Sequence, residues 1–157
     1  MTINDRYHLG SDIKAMTALL TAMFIEEGKL KWDSTLVDVF PELAEDMTPE
    51  LKAVIVEQFL SHTSGVPGDN EEFGKLLDQA TLYPGNLDEM RYWLIEQTCR
   101  LPLATKPGTK FAYANLNYIY IGAMLERLSG RTWEELITER IFEPFELKTA
   151  GLGPQST

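Results

Sequence analysis

Cysteine is nearly absent. Cys99 stands alone among 157 residues, so the chain can close no internal disulfide and build no cysteine-based metal site. It reads as a small apolar residue on a helix. Histidine is almost as scarce: His8 and His62 lie far apart and lack the spacing of a metal-binding helix, which argues against zinc. Positive charge is short as well. Fourteen Lys and Arg against 24 Asp and Glu leave a formal net charge of -10, and the few cations are scattered. That balance repels phosphate backbones and anionic lipid, so no nucleic acid is expected as a partner. The longest apolar stretch, Ala15 to Ile25, is broken by Thr17 and Thr21 and is too short to span a bilayer, so no transmembrane segment is expected. No charged, then apolar, then small-residue leader opens the chain, and nothing in it selects a compartment. Repeats, low-complexity tracts and long linkers are missing too.

What is present is enough for a core. At 44% hydrophobic, the chain is of single-domain size, and one domain over residues 1–157 is expected. Strand signals are sparse, so the expected class is mainly α. The lead-in Met1 to Gly10 carries a turn signal at Asn4-Asp5 and extends through Tyr7-His8-Leu9. A helix over about Ser11 to Glu27 follows, with Ile13, Met16, Leu20, Met23 and Phe24 inward and Gly28 as its stop. Asp33-Ser34 are expected to cap a short helix over Thr35 to Phe40. Thr48 and Pro49 open another within Leu51 to Leu60, although Val54-Ile55-Val56 leaves a short strand open. Later helices are expected over Glu71 to Leu82, from an Asn86 or Asp88 cap with Met90, Trp93, Leu94 and Thr98 inward, over Leu116 to Leu128, and from the Thr132/Glu135 capping box to about Phe142. The tail Gly151 to Thr157 is loop-like, and the chain looks cut at both ends.

Ser11 and Lys14 are the first candidate chemistry. Residues at i and i+3 share a helix face, so a neutral lysine could take the serine proton beside the unpaired N–H groups of a helix start. The plain alternative is an N-cap serine followed by a solvated lysine. Tyr113 and Asn115 are the second pair, with alternatives of their own: a packing tyrosine and a helix cap. His62 lies in the turn-rich loop Ser61 to Asn70, where a Ser-His pair with Ser11 or Ser64 suggests itself.

Taken together, GSDIKAMTALL, EEGKLKWDSTLVDVFPEL, FLSHTSGVP and PGTKFAYANLNYIYIGAMLERLSGRTWEELITERIFEPFEL resemble, in that order, the serine β-lactamase-like family. That family includes class C β-lactamases, D-alanyl-D-alanine carboxypeptidases and related esterases. The resemblance covers nearly the whole chain but well under half of a typical member. It implies the helical portion of the α/β serine β-lactamase-like (penicillin-binding-protein transpeptidase-like) fold, with most of the antiparallel sheet absent.

By the same resemblance Ser11 is the acylated nucleophile and Lys14 the amine that eases its deprotonation. Tyr113 becomes the base or proton shuttle, and Asn115 the amide that orients Lys14; a tyrosine needs such a cationic neighbour to act near neutral pH. His62 becomes part of a structural turn. The implied substrates are small esters, β-lactams or D-Ala-containing peptides, and no cofactor is implied. One family motif, K-[ST]-G or H-[ST]-G on a strand, has no counterpart: Lys106-Pro107-Gly108 and His62-Thr63-Ser64 do not match it in place. In the family that strand supplies one of two oxyanion donors, whose loss costs ~100- to 1000-fold in turnover. A catalytically incomplete helical module serving binding or assembly is therefore the alternative. Self-association through the face a sheet would cover is a further expectation, because orphaned apolar faces rarely stay wet.

Overall fold

The computed structural model describes residues 7–153. The Asn4-Asp5 turn signal and residues 154–157 of the tail lie outside the described residues. Among the described residues the chain is helical, and its β-type pairing is an isolated antiparallel bridge between Thr35 and Ile55.

Gly10 begins the fold with a φ of 55°, backbone that a β-carbon makes costly. Leu9 before it is in the right-handed helical region rather than extended. Together they fold Gly10–Asp12 into a 3-10 turn that feeds helix α1, Ile13–Glu26. This helix buries Thr17, Leu20, Thr21 and Phe24, while Ile13, Met16 and Met23 are only half-buried. The threonines tolerate burial because their hydroxyls donate to the Ile13 and Thr17 carbonyls, at 3.3 and 2.8 Å. On the far side Ala15 and Leu19 face outward, one turn apart.

Helix α2, Leu36–Val39, is capped by Thr35 and not by Asp33 or Ser34. Threonine wins because Asp38 stands three residues on and its carboxylate accepts the Thr35 N–H at 2.7 Å. The region expected as one helix divides into α3, Pro49–Lys52, and α4, Val56–Leu60. β-branched Ile55 between them is extended and bridges to Thr35, so the strand signal at 54–56 shrinks to one pairing. Asn70 caps α5, Glu71–Ala80, and Asn86 caps α6, Leu87–Thr98. In α6 Leu94, Ile95 and Thr98 are buried, whereas Met90 and Trp93 are half-buried. Burial of Cys99 just beyond pushes its thiol pKa up.

Helix α7, Asn115–Ser129, is the centre of the molecule. It packs against α1, α2, α4, α6 and α8, and is accordingly apolar around most of its girth. Tyr120 is fully buried there, edge-on to Phe59, and donates to Thr98 Oγ1 at 2.9 Å. Helix α8, Trp133–Ile137, opens on the expected Thr132/Glu135 box and runs into a π-helical turn over Thr138–Phe142. Arg91 of α6 lies between Glu126 of α7 and Glu134 of α8 and joins the three helices by ion pairs.

Candidate active site

The packing of α1 beside the start of α7 brings the four sequence candidates together. Ser11 lies in the turn ahead of α1, and its hydroxyl caps nothing; it stands 2.6 Å from the Tyr113 hydroxyl. Lys14, one turn on, donates to Ser11 Oγ at 3.2 Å and to Asn115 Oδ1 at 2.7 Å. The Tyr113 hydroxyl also reaches Asn115 Oδ1, at 3.2 Å. The lysine ammonium lies over the rings of Tyr113 and Tyr118, 5.2 and 5.6 Å from their centres. Hydrogen bonding by Lys14, and then by Ser11, lowers the Tyr113 pKa, while burial and the charge of Asp69 oppose the shift.

Asn115 is the first residue of α7, and Ala114 holds the cap position without a side-chain bond. The Asn115 amide is therefore free for Lys14 on one side and for Asp69 on the other.

His62 forms the floor. Its backbone is left-handed, with φ 55°, and its ring lies 4.5 Å from the Tyr113 ring, 5.3 Å from Tyr118 and edge-on to Phe111. The Nδ1 atom faces the Asn117 side-chain amide at 3.0 Å and the Ala114 N–H at 3.4 Å. Burial, helped by Lys14, lowers the imidazole pKa, so the ring is neutral at pH 7. Among the described residues no hydrogen bond joins His62 to Ser11 or Ser64. Ser64 is buried and donates to Asn117 Oδ1 at 2.6 Å, which leaves its hydroxyl committed to the turn. A Ser-His pair is not what the loop builds.

Comparison with known proteins decides the family. A family model described as Beta-lactamase matches residues 1–157. The chain belongs to the beta-lactamase family. A relative in this family, penicillin-binding protein 4 of Amycolatopsis lactamdurans, is 27% identical over 147 residues, which are 94% of this chain and 36% of the relative. The chain thus spans about a third of that protein's length. A D-stereospecific amidohydrolase from Streptomyces sp. superposes with a TM-score of 0.72 at 27% identity, over 92% of this chain and 43% of that one. An octameric penicillin-binding protein homologue from Pyrococcus abyssi superposes at 0.67 with 26% identity, over 89% and 31%. What is folded here is the helical part of the beta-lactamase-family fold.

Two residues at the site carry no signal in the sequence motifs. Asp69 sits in a Gly-Asp-Asn run that reads as a turn, and Asn117 sits inside an amphipathic helix pattern. Asn117 is fully buried, and both ends of its amide are used, by Ser64 and His62. Two residues apart on one helix, the Asn115 and Asn117 side chains point in different directions. Among the described residues no three His, Cys, Asp or Glu side chains come together as metal ligands.

Proposed function

We propose that this beta-lactamase-family chain is a serine hydrolase in which Ser11 is acylated by a small ester, β-lactam or D-Ala-containing peptide. The observation that carries this reading is the 2.6 Å approach of Ser11 Oγ to a tyrosine hydroxyl whose pKa is lowered by Lys14. Tyr113, as phenolate, takes the serine proton while Oγ bonds to the carbonyl carbon. The tetrahedral adduct collapses, the C–N or C–O bond breaks, and the leaving group takes that proton from Tyr113. Water, deprotonated by Tyr113, then bonds to the acyl carbon; the bond to Oγ breaks, Oγ takes the proton back from Tyr113, and the acid leaves with Ser11 restored. Lys14 favours the phenolate form of Tyr113, and Asn115 fixes Lys14.

The second reading is a helical module that serves binding or assembly. On that reading the network persists without turnover. Hydrolysis of a chromogenic ester and a chromogenic cephalosporin, wild type beside Tyr113→Phe, separates the two. Turnover that falls by about 100-fold or more in Tyr113→Phe supports the hydrolase and ranks its substrates. Equal background rates in both proteins support the module.

Self-association is part of the same proposal, through the α1 face that carries exposed Leu19 and Ala15. Support comes from apolar exposure there and from the octamer described for the Pyrococcus abyssi homologue. Solution scattering that gives a monomer mass at all concentrations removes it.

A further inference from the structure

Asp69 belongs to none of the sequence motifs, yet both of its carboxylate oxygens turn to one residue 46 positions away. Oδ1 accepts the backbone N–H of Asn115 at 3.1 Å, and Oδ2 accepts from its side-chain Nδ2 at 2.5 Å. The loop that presents it is held on both sides. Asn70, the next residue, caps α5 through the Phe73 N–H at 2.8 Å. Gly68, the residue before, passes beside the Tyr113 carbonyl, where a β-carbon would make an ordinary contact at 3.4 Å.

We propose that Asp69 is a positioning residue that fixes which way the Asn115 amide points, and through it the place of Lys14 beside Ser11. The inference rests on the hydrolase reading above. A carboxylate offers acceptors only, so Asn115 must turn its NH2 toward Asp69. The amide oxygen then faces the opposite way, where it accepts from Lys14 at 2.7 Å and from the Tyr113 hydroxyl at 3.2 Å. Reversed, the amide would set its NH2 against an ammonium, donor against donor. Lys14 would lose the acceptor that holds it within reach of Ser11 Oγ. Asp69 also supplies an acceptor to the first N–H of α7, which has no side-chain cap of its own.

Asp69→Asn separates positioning from capping. Asparagine caps a helix N–H as well as aspartate does, so a merely structural role survives the change. What it cannot do is accept from the Asn115 NH2 without turning its own NH2 away from that contact and giving up the backbone N–H. The experiment uses the full chain and measures three things: the denaturant midpoint, the side-chain amide signals of Asn115 in 1H–15N spectra, and the rate at which a fluorophosphonate labels Ser11. The expected result is an unchanged midpoint, displaced Asn115 signals and labelling slowed by about tenfold. Asp69→Glu, acceptor-only like the native residue, is expected to label faster than Asp69→Asn. Labelling of Asp69→Asn at the wild-type rate, or faster than Asp69→Glu, overturns the proposal. Should the wild-type chain itself resist labelling, the hydrolase reading fails. The Asn115 signals then decide alone: displaced, they support the role of Asp69; undisturbed, they overturn it.

Discussion

Ser11 Oγ and the Tyr113 hydroxyl stand 2.6 Å apart although 102 positions separate them in the chain. Neither side chain is buried, so an isolated pair of this kind would contribute little and would open readily in water. It is held from behind. The Tyr113 ring rests on the buried His62 ring, and His62 is fixed by Asn117, whose other end is fixed by Ser64. A chain of buried polar contacts in the HTSG loop and α7 therefore sets the place of an exposed hydroxyl.

The pH dependence of acylation should report the Lys14–Tyr113 pair. A lowered phenol pKa leaves more base at neutral pH, so labelling of Ser11 rises with pH and levels off above a midpoint below the usual tyrosine value of about 10. Lys14→Met removes the hydrogen bond and the charge. The midpoint should then move up toward about 10 and the rate at neutral pH should fall. A variant midpoint at or below that of the wild type contradicts this account of Tyr113.

Gly65 tests the loop beneath the site. Its φ is 82°, and a β-carbon there would lie 2.1 Å from the Thr105 carbonyl oxygen, which is backbone and cannot swing away. Gly65 also accepts the Ala104 N–H at 2.8 Å. Gly65→Ala should lose about 3 kcal/mol or more of stability, read as a lower urea midpoint. An unaltered midpoint would show that the 62–68 loop is not packed against residues 104–105 as described.

Arg91 gives a second stability test, with a pH signature. Burial raises the Glu126 pKa to about 7, despite the attraction of Arg91 and the Trp133 N–H. An acid whose folded pKa lies above its unfolded 4.5 favours the folded state while protonated, and that contribution is lost as pH rises from about 4.5 through 7. Arg91→Met leaves Glu126 and Glu134 without their cation, which should cost about 3–5 kcal/mol near pH 8. The loss should shrink near pH 5, as Glu126 takes up its proton. Equal losses at the two pH values would contradict the prediction.

Helix positions were legible because caps and periodicity are local. Thr48, Asn86 and Thr132 announce their helices, and the α7 span follows from its apolar pattern and Gly130. The misreadings came where two local signals competed. Thr35 displaced Ser34 as a cap because only Thr35 has an acid three residues on, and Ile55 broke a helix by pairing with a residue 20 positions earlier, which periodicity cannot register. The four candidate site residues stood out through motif order. Asp69 did not, because a carboxylate that orients another side chain leaves no spacing rule in the sequence. The turn that holds His62 is legible in the sequence, whereas its stacking on Tyr113 joins residues 51 positions apart and leaves no local signal.

The central claim is that Lys14 and Tyr113 activate Ser11. Intact mass after incubation with a fluorophosphonate probe, beside a Ser11→Ala control, tests it most directly. The account predicts a single adduct on the wild-type chain and none on the control. A folded chain that takes up no probe, or an adduct that survives Ser11→Ala, would contradict it.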